Sequence, residues 1–234
     1  MKGKLFLIPN TIGGTYQSSL PVDTLRSIEH IRVFVVEEIR SARRLLKGIG
    51  FATDFEEVEF LLLNEHSATG TANSLLKKLQ TGNDMGLISE AGCPAIADPG
   101  EDLIAAAHES GITIVPMVGP SSIILTLMGS GLNGESFAFT GYVPRESSDR
   151  IKRLRQLESL ALQQKQTQLF MDAPYRNNQL FTDILDNLRP NTKVCVAADL
   201  GTTEELIKTK RVSEWKVAMP PSLHKRPVMF AIGE

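Results

Sequence analysis

The sequence is poor in cysteine and contains no long apolar run. Its two cysteines in 234 residues, Cys93 and Cys195, have neither a CxxC nor a Cys/His spacing, so we expect a reduced, cytoplasmic protein without structural zinc. No stretch approaches the roughly 18 apolar residues that a membrane-spanning helix needs. The apolar run LFLI near the first residue is too short for a signal peptide, which favours a soluble protein.

An excess of positive charge is also missing. Lysine and arginine total 25 against 27 for aspartate and glutamate, and the net charge is −2. This balance excludes nucleic-acid binding that depends on overall charge, but it is compatible with local basic patches. The four histidines are scattered and no HExxH motif occurs, so we expect no metal site. The sequence also lacks a GxxxxGK[ST] phosphate loop, and Ser121-Ser122 lacks the GxSxG context of a serine hydrolase.

Short apolar runs alternate with longer amphipathic stretches along the chain. In the first half this pattern predicts strands at 4–8, 31–36, 86–89 and 112–115, with helices at 21–30, 40–49, 67–81 and 101–110. After PMVGPSS (116–122) the alternation starts again, with strands at 137–142, 167–172, 193–199 and 228–232 and helices at 146–164 and 176–188. We therefore predict an α/β protein with two α/β domains, residues 1–117 and 118–234, and a mostly parallel sheet in the first.

The stretch GLISEAGCPAIADPG (86–100) is unusual for a connection between a strand and a helix. Such connections commonly need only two to six residues, whereas this one carries glycines, prolines and acids over a longer span. Glycine at position 92 permits a positive φ or a close approach of a ligand to the backbone. Because ligands bind at the carboxyl ends of strands in open α/β sheets, this loop is a candidate ligand site.

Polar residues also follow two other apolar runs. Glu37, Glu38 and Arg40 end the run VFVV, and Glu65-His66 follow Leu61–Leu63. Groups in these positions can face a cleft. A solvated helix start for the first set, and a loop hydrogen bond for the histidine, are the alternatives.

Two basic runs have defined places on predicted helices. The first contains Arg43, Arg44 and Lys47, and the second contains Arg145, Arg150, Lys152, Arg153 and Arg155. Such runs are commonly solvated helix faces, and acidic residues dilute the second one. Contact with a polyanion is the alternative.

The order of the unusual segments resembles one family. The segments are LIPNTIGG (7–14), VVEEIRSARRLL (35–46), NEHS (64–67), LISEAGCPAIADPG (87–100), PMVGPSSIILTLMGSGL (116–132), FTGYVPR (139–145), LFMDAPYR (169–176) and the final RPVMFAIGE. Together they resemble the tetrapyrrole methylase superfamily, and within it the ribosomal RNA small-subunit methyltransferase I type, which methylates a cytidine ribose 2′-hydroxyl. The resemblance runs over almost the whole chain.

This resemblance implies two α/β domains that bind S-adenosylmethionine in a cleft between them, in a molecule that is usually a homodimer. In the first part of the chain it implies cofactor contacts at Pro9, Ala91, Gly92, Cys93, Ser121 and Ser122. In the second part it implies contacts at Met171, Asp172, Ala198, Asp199, Leu200, Pro227 and Val228. Backbone carbonyls and small side chains in a narrow cleft suit a donor that is cationic at sulfur and apolar at its edges.

On the acceptor side, the resemblance implies that Glu38, Arg40 and His66 face the cleft as catalytic candidates. Ribosomal RNA would then be contacted by Arg43, Arg44, Arg145, Arg150 and Arg153. Two alternatives stay open. The acceptor could be a tetrapyrrole or another small molecule, which the near-neutral charge favours. The protein could also bind S-adenosylmethionine without catalysis, because residues 198–202 lack the polar groups that the family has there.

Overall fold

The chain forms two compact units, Met1–Ser121 and Ser122–Glu234, each with its own five-stranded sheet. They are seen in a computed structural model that describes residues 2–64 and 71–234. The predicted α/β class is confirmed. Across these described ranges, no helix is both long and apolar enough to cross a lipid bilayer.

The first unit contains a wholly parallel sheet in the order β3-β2-β4-β1-β5. Its strands are β1 (Lys4–Ile8), β2 (Val33–Val36), β3 (Glu59–Leu62), β4 (Met85–Ile88) and β5 (Thr113–Pro116). Its helices are α1 (Tyr16–Ser19), α2 (Thr24–Ile28), α3 (Ile39–Gly48), α4 (Thr71–Gln80) and α5 (Glu101–Glu109), and a 3₁₀ turn spans Phe55–Glu57. The sequence pattern had not predicted β3.

The two faces of this sheet carry separate apolar cores. On one face, Phe34 and Val36 of β2 pack with Leu45 of α3. On the other face, Val35 of β2 packs with residues of α4 and α5. Because β2 and β4 are buried on both faces, their sequences VFVV and MGLI are uninterrupted apolar runs.

The second unit contains a mixed sheet in the order β6-β7-β10-β8-β9. Only β6 and β7 are parallel, and the other neighbouring pairs are antiparallel. Its strands are β6 (Phe137–Tyr142), β7 (Thr167–Met171), β8 (Lys193–Ala198), β9 (Leu206–Arg211) and β10 (Val228–Gly233). Its helices are α6 (Ser122–Ser130), α7 (Ser147–Gln164), α8 (Asn177–Asn187) and α9 (Val212–Val217), and a 3₁₀ turn spans Pro174–Arg176.

Aromatic side chains fill the core of the second unit. Phe170 and Phe230 stack with ring centroids 5.9 Å apart, and Phe181 meets Trp215 edge-on at 5.2 Å. The indole Nε1 of Trp215 donates to the carbonyl oxygen of Val194 at 2.9 Å, which satisfies the polar atom of the buried ring.

Candidate functional site

The carboxyl ends of the five parallel strands bring the loops of the first unit to one edge of the sheet. The segments that follow β1 and β2 pack in the core on one face, whereas α5, which follows β4, packs on the other. β4 lies between β2 and β1 in the sheet. The chain therefore turns to one face of the sheet after β1 and β2 and to the opposite face after β4. This is the arrangement that opens a ligand-binding crevice in α/β sheets.

The loop after β4 is tied to the loop after β1 by an isolated antiparallel bridge between Asn10 and Gly92. The backbone nitrogen of Asn10 donates to the carbonyl oxygen of Gly92 at 2.9 Å, and the backbone nitrogen of Gly92 donates to the carbonyl oxygen of Asn10 at 3.2 Å. The Asn10 side chain, which is buried, also donates to the carbonyl oxygens of Ser89 and Glu90 at 3.2 and 2.9 Å. The hydroxyl of Ser89 donates to Gly92 O at 3.1 Å. Both loops are therefore fixed at the place where the sequence predicted a ligand.

Gly92 has a positive φ of 71°, and a Cβ there would lie 3.3 Å from Ile12 Cγ2 and 3.6 Å from Pro120 O. The following Cys93 donates its thiol to Pro120 O at 3.4 Å, and burial raises the pKa of this thiol. A neutral thiol engaged with a carbonyl is a packing group and a weak nucleophile. The predicted residues Pro9, Ala91, Gly92 and Cys93 thus lie together along these joined loops.

Three carboxyl groups form an acidic cluster near the ends of β2 and β4. They belong to Glu37, which follows β2, and to Glu90 and Asp98 in the loop after β4. Burial, followed by repulsion from Asp98 and Glu90, raises the pKa of Glu37 to about 7. Burial and repulsion from Glu90 raise the pKa of Asp98 to about 6. The Oε1 atom of Glu37 is buried and has no hydrogen-bond partner among the residues that the structure describes. The sequence pattern placed Glu37 at a strand end, with Glu38 and Arg40, where it can face a cleft, but it gave no sign that Asp98 lies nearby.

Glu38 has a different environment from its neighbour. It is the N-cap of α3, and its carboxylate oxygens accept hydrogen bonds from the backbone nitrogens of Arg40 at 2.8 Å and Ser41 at 2.7 Å. The bond from Arg40 is the main reason why the pKa of Glu38 is lowered. A carboxylate held in this way is a weak base and a helix cap. Arg40 is exposed, and His66 lies outside the described residues.

Helix α3 has one apolar and one basic face. Ala42, Leu45 and Leu46 are buried against the sheet. Arg40, Arg43, Arg44 and Lys47 are exposed and recur at the spacing of a single helix face. The guanidinium of Arg43 lies over the rings of Phe55 and Phe60, 5.6 and 5.2 Å from their centroids, which restrains its position.

In the second unit, the predicted cofactor residues also share one edge of the sheet. The strand pairing sets Met229 opposite Met171 and Val228 opposite Ala198, and the Asp199 nitrogen donates to Pro227 O at 3.0 Å. Leu200 follows Asp199 and is buried.

Both aspartates at this edge are paired with arginines. Asp172 is buried, and both of its carboxylate oxygens accept hydrogen bonds from the guanidinium of Arg176. Asp199, which has a positive φ of 49°, accepts from Arg226 Nε at 2.5 Å. These pairs hold the two loops in shape.

The second basic run separates into buried and exposed members. Arg150 is buried, and its guanidinium bonds to Asp183 at 2.6 Å and to Arg145 O at 2.6 Å. The Arg150 side chain is therefore held inside the unit and is not exposed for the expected contact with RNA. Arg145 is exposed and Arg153 is partly exposed.

The described residues contain no group of three or more histidine, cysteine, aspartate or glutamate side chains that could hold a metal ion. Ser121 ends the first unit and Ser122 begins α6.

Comparison with known proteins tests the resemblance directly. The family model described as "Tetrapyrrole (Corrin/Porphyrin) Methylases" matches residues 19–215. A protein of Vibrio cholerae named "Ribosomal RNA small subunit methyltransferase I" is 30% identical over 90% of this chain and 69% of its own length. A protein of the same name from Synechocystis is 32% identical over 87% of this chain and 69% of its own length.

Solved structures have the same fold. A methyltransferase called CobJ superposes with a TM-score of 0.66 at 14% identity, covering 99% of this chain and 94% of its own. A uroporphyrin-III-C-methyltransferase from Thermus thermophilus gives a TM-score of 0.56 at 18% identity, covering 100% and 93%. The family match spans most of the chain and confirms the resemblance that the motif order indicated. The chain therefore belongs to the tetrapyrrole (corrin/porphyrin) methylases and is a methyltransferase.

Proposed function

We propose that this protein transfers a methyl group from S-adenosylmethionine to the 2′-hydroxyl of a cytidine ribose in small-subunit ribosomal RNA. The observation that carries the proposal is its similarity to relatives named for that ribosomal RNA. Eight relatives of that name are 27–32% identical over 87–100% of this chain. Identity to the uroporphyrin-III methyltransferases of known structure is 17–18%. An RNA acceptor is therefore favoured over a tetrapyrrole.

The joined loops of the first unit fit the proposed donor. When bound, S-adenosylmethionine supplies an electrophilic methyl group on a sulfonium. Gly92 leaves free the space that a Cβ would fill beside Ile12, and its neighbours offer backbone groups and short side chains. We assign donor binding to the predicted residues Pro9, Ala91, Gly92, Cys93, Ser121, Ser122, Met171, Asp172, Ala198, Asp199, Leu200, Pro227 and Val228.

The basic face of α3 fits the proposed acceptor. Arg43 and Arg44 belong to an exposed row of four cations, and the helix that carries them starts directly after Glu37 and Glu38. Phosphate contacts along this row would set the register of an RNA strand, because such contacts position a nucleic acid without reading its bases. Arg145 and Arg153 extend the proposed contacts to the second unit.

The catalytic candidates differ in what they offer. Arg40 lies at the start of α3 and is free to contact a phosphate or the acceptor ribose. Glu38 supports this end of the helix through its capping bonds, so we assign it a positioning role. His66 stays a candidate on sequence position alone. We also propose that the protein is a cytoplasmic homodimer, as its family resemblance implies.

Mass spectrometry of ribosomal RNA tests the acceptor. Small subunits from a strain that lacks the protein should gain one 2′-O-methylcytidine when incubated with the purified protein and S-adenosylmethionine. Titration calorimetry with S-adenosylmethionine and with its demethylated product tests the donor separately. Unchanged RNA together with methyl transfer to a tetrapyrrole would establish the alternative acceptor. Donor binding without transfer to either pool would favour the non-catalytic alternative.

A further inference from the structure

The acceptor hydroxyl in the proposed reaction carries a proton that must leave. A ribose hydroxyl is a poor nucleophile, and a positioned base commonly accelerates such steps. Among the sequence candidates, Glu38 is committed to the backbone of α3 and Arg40 is a cation, so neither is a suitable base. The structure offers another carboxyl group in the same crevice.

Glu37 occupies the carboxyl end of β2, next to the position where the chain leaves β4 for the glycine loop. The register sets Val36 opposite Ile88, so Glu37 follows β2 where Ser89 follows β4. Ser89 is itself hydrogen-bonded to Gly92 O at 3.1 Å. Glu37 therefore lies between the proposed donor loop and the first turn of the basic helix.

One oxygen of this carboxyl group has an unusual environment. Glu37 Oε1 is buried and accepts no hydrogen bond from any described residue, whereas buried polar atoms almost always have a partner. The side chain as a whole is only half-buried, so part of it is accessible from outside the unit. A buried carboxylate with an unpartnered oxygen is stabilised when the group receives a proton, and a substrate hydroxyl can supply that proton.

We propose that Glu37 is the base that accepts the proton of the acceptor hydroxyl, which rests on the methyl transfer to RNA proposed above. In this step the hydroxyl oxygen forms a bond to the methyl carbon, and the bond from that carbon to sulfur breaks with its electron pair left on sulfur. The proton passes from the hydroxyl to the Glu37 carboxylate. Charge and atoms balance, because the sulfonium becomes a neutral thioether.

The neighbouring acids adjust the basicity of Glu37. Asp98 and Glu90, both from the loop after β4, are the described charged groups that act on it. Their negative charges favour the protonated form and so strengthen the base. With a pKa of about 7, Glu37 is largely ionised at slightly alkaline pH and still has a useful affinity for a proton.

Single-turnover methylation of small ribosomal subunits by Glu37→Gln tests the assignment. We expect its rate to fall by roughly 10²–10⁴-fold, the usual contribution of a general base, while the Kd for S-adenosylmethionine measured by calorimetry is unchanged. Glu57→Gln makes the same chemical change on the exposed 3₁₀ turn of the same unit and should leave the rate unchanged.

Two further measurements separate a base from a structural residue. The rate of the wild-type protein should rise with pH through about 7, and Glu90→Gln should move this rise to lower pH by roughly half a unit, as expected for the loss of one nearby like charge. In protein carrying ¹³C at the glutamate side-chain carboxyls, one signal should titrate near pH 7 and be missing in Glu37→Gln. This signal can be followed without donor or RNA.

The outcomes that contradict the proposals are distinct. A Glu37→Gln variant that methylates RNA within about threefold of the wild-type rate would overturn the assignment of the base alone. A Glu37 signal that titrates at the ordinary glutamate pKa, about 4.3, would do the same. A wild-type protein that methylates no ribosomal RNA would overturn the proposed function, and the assignment of the base would fall with it.

Discussion

Gly92 shows what a single residue contributes at the proposed donor site. Its φ of 71° lies in the left-handed region, and a Cβ would approach Ile12 to 3.3 Å. We predict that Gly92→Ala lowers the free energy of unfolding by about 1–2 kcal/mol through backbone strain and also weakens S-adenosylmethionine binding. Chemical denaturation and calorimetry on the same preparation measure the two effects.

Gly131 provides a matched control. It has a similar φ of 66°, but a Cβ there would have no atom within 4 Å. Gly131→Ala should therefore show the strain without the loss of donor binding. Equal loss of binding in both variants would mean that Gly92 has no specific role at the donor site.

Asp98 connects the acidic cluster to stability. Since its carboxyl pKa is raised in the folded protein, the folded state binds a proton more tightly than the unfolded state, and stability falls as pH rises from about 4 towards 6. We predict that Asp98→Asn is more stable than the wild type at pH 8, by on the order of 1 kcal/mol after allowance for solvent screening. The difference should vanish near pH 4. Urea denaturation at the two pH values measures it, and a less stable variant at pH 8 would contradict the account.

The sequence predicted part of this site. The glycine loop and the strand-end position of Glu37 follow from local patterns, because a glycine-rich turn after an apolar run is a local property. The meeting of Glu37 with Asp98 does not, because it depends on β4 lying next to β2 in the sheet. The buried, unpartnered oxygen of Glu37 is likewise a product of packing.

At the scale of elements, the sequence missed two edge strands. β3 has the four residues EFLL and a half-exposed pattern, and it was seen only as an apolar run before Glu65. β9, LIKTKR, carries two lysines and an arginine, and among the described strands it pairs only with β8. Charged residues are common on edge strands, where they discourage aggregation, and they weaken the apolar pattern that identifies a strand.

Arg150 joins helices α7 and α8 through Asp183, with both side chains nearly buried. Removing one partner of such a pair leaves a buried charge without compensation. We predict that Arg150→Gln lowers the free energy of unfolding by about 3 kcal/mol. Lys152→Gln, an exposed change on the same helix, should alter it by less than about 0.5 kcal/mol. Denaturation curves decide between them, and an equal, small effect would show that the buried pair does not stabilise the unit.

Helix α3 carries the prediction for RNA binding. Arg44 is exposed and, unlike Arg43, has no aromatic contact among the described residues, so its removal tests charge alone. We predict that Arg44→Gln weakens binding to small-subunit RNA and reduces the slope of log K against log salt by about 0.7, as expected for one lost phosphate contact.

Lys77 is the control for this measurement. It is exposed on α4, which packs on the other face of the same sheet, and Lys77→Gln removes the same charge. Its salt slope should match that of the wild type. If the two variants lose the same slope, RNA is attracted by overall charge and α3 has no special part in binding.

At the scale of the whole molecule, each unit keeps its own core and sheet, which explains why the sequence pattern repeats after residue 116. Local alternation of apolar and polar residues was enough to predict two α/β units. It could not predict that the second sheet is mixed, because strand direction depends on pairing partners that are distant in sequence.

The proposed homodimer is a prediction at this scale. Light scattering should give a mass of about twice 25.7 kDa at micromolar concentration. A mass of one chain that does not change with concentration would contradict it.

The bridge between Asn10 and Gly92 has a consequence for conformational entropy. Ordering the backbone of a loop costs about 1–2 kcal/mol per residue. Here the hydrogen bonds from Asn10 and Ser89 order the loops when the protein folds, before any ligand binds. A donor that binds these loops then has little left to order, so more of its contact energy appears as affinity. In the proposed reaction, new donor would therefore replace the spent product without the loop having to refold.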